Sequence, residues 1–149
     1  MNLAFPRLIG FVATLFITQV VIAFSVVDFA DIQFQTGRPT PASVIEDSLK
    51  LPLARSSAFL EQAAHTLQGN PKIKVRIVGF TDDHECSNSR ECKELSLRRA
   101  KGVYDWLLTH GVASGQVTAV EGKGSDEPIG SNDLESGRQY NRRVEIQVL

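Results

Sequence analysis

The chain predicts an α+β two-layer sandwich, ordered β-α-β-α-β-(α)-β, with its helices packed on one face of a mixed four-stranded sheet. Three observations carry that prediction. From Lys72 to Phe80, Ile73, Val75 and Ile77 alternate with Lys74 and Arg76, the period of a strand with one buried and one wet face. Two segments, starting near Ala54 and Ser89, instead repeat their apolar residues at helical spacing. A second alternating run, Arg143 to Leu149, follows a polar, glycine-rich stretch. The 149 residues fit one domain with a real hydrophobic core.

Leu8 to Val27 is almost unbroken apolar, with Gln19 its most polar member, and only Arg7 and the α-amino group precede it with positive charge. Residues 1–25 read as a secretory signal peptide, with Ala23 and Ser25 at positions −3 and −1 of a cleavage site. The alternative is an uncleaved membrane anchor, because nearly twenty apolar residues span a bilayer. The next strand pattern begins at Asp28 and leaves an anchor no linker, which favours cleavage. Residues 26–149 form the exported domain in either case. No cysteine near residue 25 is available to accept lipid.

The exported part opens with a strand between Val26 and Gly37, Ile32 and Phe34 sharing a face. Pro39, Pro41 and Pro52 mark Arg38 to Leu53 as a loop. A helix from Ala54 buries Phe59, Leu60, Ala63, Ala64 and Leu67, with Ser56 or Ser57 near its cap, and stops at Gly69-Asn70-Pro71. The alternating strand comes next. An acidic turn leads into a second helix, Ser89 to His110, ended by Gly111. Its wheel places Leu97, Ala100, Val103, Tyr104, Leu107 and Leu108 in one apolar stripe, with Arg98 on the wet face and Arg99 on the flank beside Trp106. Gln116 to Gly122 gives a third strand, Lys123 to Tyr140 a loop with one short helix, and Arg143 to Leu149 the last strand. Strand parity sets Arg142 on the face of Val144, Ile146 and Val148, and turns Arg143 and Glu145 away.

Net charge near −1, with no basic stripe, argues against nucleic acid as a partner. Export favours oxidation of Cys86 and Cys92 to a disulfide. A metal site built from His84, Glu85, Cys86 and Cys92 is disfavoured by the five-residue gap between the cysteines. No nucleophile triad or spaced carboxylate pair points to an enzyme, and nothing calls for a cofactor. His65 and His110 read as surface or boundary residues.

Three motifs, GFTD at Gly79 to Asp82, LSLRRA at Leu95 to Ala100 and NRRVEI at Asn141 to Ile146, stand in the order found in the OmpA-like (OmpA/MotB C-terminal) peptidoglycan-binding domain. The chain resembles that family from about Val27 to its C-terminus. The resemblance implies non-catalytic binding of peptidoglycan through the diaminopimelate of its stem peptides, in the periplasm or cell envelope of a Gram-negative bacterium. It implies that Asp82 holds the ligand's ammonium, that Arg99 and Arg142 hold its carboxylate, and that Thr81 lies beside them as a loop contact. An envelope protein partner is compatible with it. An inner-membrane-anchored assembly component of a larger envelope machine is the alternative. Taken alone, Asp82 also suits turn chemistry, and Arg99 and Arg142 also suit structural pairing with Asp82 or Glu145. The chain departs from the family after Asp82, where Asp83, His84 and Glu85 replace the usual early glycine and a two-cysteine loop intervenes. That loop is expected to be held rigid over the site and outside the core.

Overall fold

The computed structural model describes residues 27–149, so the signal-peptide or anchor segment lies outside the described residues. The expected element order is present: β1 (Ile32–Gln33), α1 (Leu53–Gly69), β2 (Val75–Gly79), α2 (Ser89–Thr109), β3 (Val117–Gly122), α3 (Glu135–Asn141) and β4 (Arg143–Val148). Short 3-10 turns at Glu46–Ser48 and Ser114–Gln116 complete it. The sheet runs β1-β4-β2-β3 and is mixed. Strand β2 lies parallel to β3, while β4 is antiparallel to both β2 and β1.

Register explains where the core sits. Ile77 opposes Ile146 and Gly79 opposes Val144, which stacks the inward residues of β2 and β4 on one face. Helices α1 and α2 close that face with Leu60, Leu67, Val103 and Leu107, all fully buried. Each buried leucine contributes about 2 kcal/mol. Trp106 is pinned at the rim, its indole N–H donating to Glu46 Oε1 at 2.7 Å.

Helix α2 lies unusually close to the sheet, and two glycines make that possible. A methyl group on Gly79 would overlap the backbone carbonyl of Ser96, and one on Gly122 would strike the backbone of Lys93 and Leu97. Ser96 is buried at this contact, and its Oγ accepts the N–H of Gly124 at 2.9 Å. The helix begins cleanly. Asn88 Oδ1 caps the N–H of Glu91 at 3.0 Å, and Glu91 Oε2 accepts the N–H of Ser87.

Several expectations need correction. Strand β1 is far shorter than the alternating pattern, because only Ile32 and Gln33 reach the β4 ladder, and Phe34 then bridges to Leu49. Helix α1 starts at Leu53 on Pro52, without a side-chain cap, and Ser56 instead donates to Lys50 O at 2.6 Å. Leu97 is 46% exposed, since Ser96 takes the place nearest the sheet. Val148 is likewise exposed at the end of β4.

Candidate functional site

Strand β2 delivers its continuation, Phe80 to Asp82, into a buried corner between the start of β4 and the middle of α2. Thr81 is held by its N–H, which donates to Gly124 O at 2.9 Å. Asp82 is 1% exposed. Its Oδ1 accepts the N–H groups of His84 (2.7 Å) and Glu85 (2.9 Å), the local turn chemistry that aspartate favours. Its Oδ2 accepts from Arg142 Nη1 at 2.7 Å. Both readings of Asp82, turn former and ion-pair partner, therefore apply at once. The expectation that this loop stands outside the core is wrong, because the side chain that organises it points inward to an arginine.

Arg99 is fully buried, deeper than the flank its wheel position gives it. A wheel sees one helix, whereas here the segments 35–38 and 80–85 fold over the guanidinium. Nε donates to Arg38 O at 2.8 Å, Nη1 to Phe80 O at 2.9 Å and Nη2 to Gln35 O at 3.2 Å. The outer edge grips Glu85 bidentately, at 2.6 and 2.7 Å to Oε1 and Oε2. Glu85 is the residue that sequence reasoning missed as a site member. It stood there only as a candidate metal ligand, and its one signal was its position in the stretch that departs from the family pattern. Arg98, by contrast, is only partly buried and, among the described residues, its guanidinium makes one long hydrogen bond, to Pro39 O at 3.4 Å.

Arg142 is buried as parity anticipated, though for another reason. It caps α3 with φ −78° and ψ 76°, before β4 begins, so strand alternation does not govern it. Besides Asp82 it pairs with the exposed carboxylate of Glu135, and its Nε is buried with no partner among the described residues. Burial works against the Arg142 charge, but the hydrogen bonds to Glu135 and Asp82 outweigh it and raise its pKa. The hydrogen bond from Arg142 in turn lowers the Glu135 pKa. That contribution is present above the ordinary carboxylate range and is lost as pH falls through the lowered value. Arg143 was expected to point to solvent and is 2% exposed. Its guanidinium lies 3.9 Å from the centroid of the Phe80 ring and pairs with Glu145, which is therefore Arg143's partner rather than Arg142's.

Cys86 and Cys92 are joined in a disulfide with Cα atoms 5.4 Å apart, which ties the loop to the first turn of α2 and takes both thiols out of any metal set. Thr81 packs beneath the bridge, its Oγ1 at 3.9 Å from Cys86 Sγ. Closing so short a loop stabilises by about 2 kcal/mol on the chain-entropy model. Urea melts of the protein with and without reductant should differ by about that amount. Coincident melts would mean the bridge adds nothing to the fold.

The cluster thus sets three carboxylates, Asp82, Glu85 and Glu135, against three guanidiniums, Arg99, Arg142 and Arg138. Beside it a groove of about 410 Å³ is lined by Phe34, Gln35, Thr36, Lys50, Leu51, Gln139 and Arg142. Burial, with Arg55 and Arg142 nearby, lowers the Lys50 pKa.

Comparison with known proteins bears on the family and the fold. A model of the OmpA family matches residues 46–142. Over 90 residues the chain is 42% identical to the peptidoglycan-binding protein ArfA of Mycobacterium tuberculosis, a match covering 60% of this chain and 27% of that protein. It is 34% identical over 112 residues to the probable lipoprotein YiaD of Escherichia coli, covering 72% of this chain and 48% of the relative. The chain therefore spans about a quarter to a half of the curated relatives it matches. Among solved structures, the C-terminal domain of Helicobacter pylori MotB superposes with a TM-score of 0.65 at 27% identity, covering 81% of this chain and 84% of that one. The cell wall anchor of the T6SS from Pseudomonas aeruginosa gives 0.56 at 30% identity, covering 76% and 75%. With a family model matched over most of its length, and with the fold of that family's solved members, the chain belongs to the OmpA family.

Proposed function

We propose that this chain is a non-catalytic peptidoglycan-binding domain that recognises diaminopimelate in the stem peptides and tethers itself, or its partners, to the cell wall. In this reading Asp82 takes the ligand's ammonium, Arg99 and Arg142 take its carboxylate, and Thr81 supports the loop. One observation carries the reading: Asp82, Arg99 and Arg142 come from three motifs far apart in sequence and meet in one buried network through Glu85, whose Oε1 accepts from both Arg99 and the Asp82 N–H.

The chemistry suits a zwitterion. A guanidinium fork matches a carboxylate, and an ionised aspartate only accepts. A carboxylate has about four lone-pair directions, and Asp82 has three engaged. The likeness to the C-terminal domain of MotB and to a T6SS cell wall anchor supports a tethering role, and an inner-membrane-anchored component of a larger envelope machine is the alternative setting. The same wall site serves both settings. Placement in the periplasm or cell envelope, with residues 1–25 as a signal peptide or anchor, belongs to the same proposal.

Co-sedimentation with purified sacculi tests it. The protein should pellet with diaminopimelate-containing peptidoglycan, and free meso-diaminopimelate should release it with an affinity in the range of about 1 mM to 1 µM. A stem peptide with lysine in place of diaminopimelate, whose free end carries an ammonium but no carboxylate, should release it poorly. Failure to pellet, or equal release by diaminopimelate and the lysine stem peptide, would refute the assignment.

A further inference from the structure

Arg99 carries five N–H donors and all of them are engaged. Three go to backbone carbonyls and two to Glu85, in the parallel fork that a ligand carboxylate would itself adopt. Arg99 does not hold Glu85 alone. The N–H of Gly37 donates to Oε2 at 2.8 Å and that of Asp82 to Oε1 at 3.2 Å, so the carboxylate sits in a cradle of charge and backbone donors. Its side chain is fully buried. No open donor on Arg99 remains for an anion from outside.

We infer that Glu85 is an internal ligand of this site: it fills the Arg99 fork in place of a ligand carboxylate, and the chain binds its target by exchanging one carboxylate for the other. The inference rests on the wall-binding reading above and names the residue that sets its threshold. With Glu85 in place, carboxylates and guanidiniums balance, Asp82 keeps one lone-pair direction for a cation, and Arg99 has no donor for a second anion. With Glu85 displaced, Arg99 offers a complete bidentate site beside Asp82. An amine alone cannot drive the exchange because it gives Arg99 nothing in return. A carboxylate alone exchanges a tethered anion for a free one and brings nothing to Asp82. Only a ligand bringing both groups in one short frame replaces what it removes, which makes Glu85 a filter for zwitterionic amino acids. The displacement is short-ranged, because Cys86 follows immediately and is bridged to Cys92 on α2.

The cost is a lower apparent affinity. If about nine-tenths of molecules are closed, binding is weakened about tenfold relative to an open site. Glu85→Gln removes the charge while keeping the shape, and should bind meso-diaminopimelate about tenfold more tightly by calorimetry. The same ligand should raise its melting temperature more than that of the wild type, because it restores a partner to Arg99. The variant leaves a buried guanidinium without its anion, so Glu85→Asp serves as the second arm. It keeps the charge but is one methylene too short to grip both Nη atoms, and an intermediate gain is expected. Folded Glu85→Gln binding no better than wild type overturns the inference while leaving wall binding intact. If only Glu85→Asp folds, affinity equal to the wild type overturns it. Absence of binding to both meso-diaminopimelate and sacculi in wild type and variants alike overturns the wall-binding reading and the inference with it.

Discussion

Arg99→Ala is expected to lower the stability of the folded domain by about 3–5 kcal/mol, the cost of removing one partner from a buried ion pair. Arg98→Ala, one residue earlier, should cost less than about 0.5 kcal/mol. The contrast follows from surroundings and not from residue type. Without Arg99, Glu85 is stranded with a fully buried carboxylate, and the carbonyls of Gln35, Arg38 and Phe80 lose a donor together. Segments 35–38 and 80–85 are sewn to one another through this guanidinium, so its removal frees both. Arg98 loses only one long contact to Pro39 O. Urea unfolding of the two variants measures the difference directly. Sedimentation with sacculi should be abolished for Arg99→Ala even in conditions where the variant is still folded, and nearly intact for Arg98→Ala. Equal midpoint shifts would show that the network around Arg99 contributes no more than a surface contact.

Asp82→Asn should cost about 3 kcal/mol, at the lower end for a broken buried pair, and lower the melting temperature by about 10 °C. Asparagine can still accept the N–H groups of His84 and Glu85 through Oδ1, so the turn survives. What fails is the other side of the residue. Oδ2 becomes an NH₂ group facing Arg142 Nη1, two donors opposed in a corner where Asp82 is 1% exposed. Arg142 is left with Glu135, whose carboxylate is largely in water. Combining Asp82→Asn with Arg142→Met removes the charge left behind, and the pair should cost clearly less than the two single losses together. Strict additivity in calorimetry would mean that Asp82 and Arg142 do not act on each other. Stability and binding are expected to fall together for Asp82→Asn, so this variant reports on the network and the competition experiment reports on the ligand.

Patterns that depend on one element at a time were legible in the sequence. The alternation in Lys72 to Phe80 located β2, helical spacing located α1 and α2, and the difference between Arg98 and Arg99 came from a wheel alone. Features created by several elements meeting were not. Burial of Arg99 is completed by a loop after β1 and another after β2, neither of which a wheel contains. Burial of Arg143 depends on Phe80 beside it and on Glu127 O, toward which its Nη atoms point at 3.4 Å. Parity assumed that the whole outer face of the sheet was wet. Arg142 was placed inside by a strand rule, yet it is the last turn of α3 that puts it there. Glu85 was invisible for the same cause: its partner lies fourteen positions away on another element, and no local period connects them.

The contact of Gly79 and Gly122 with α2 also has a consequence for motion. Backbone touches backbone there, with only the small Ser96 hydroxyl between, so the helix cannot slide or roll on the sheet without losing van der Waals contact along its first half. Arg99 lies one turn beyond Ser96 and shares that immobility. Any breathing that opens the charged corner belongs to the chain on either side, at 35–38 and 82–88, where opening breaks the ion pairs and hydrogen bonds of the corner and leaves the helix–sheet packing in place. The domain resembles a vice with one fixed jaw: helix and strand hold the guanidinium in place, and only the loops are left to open.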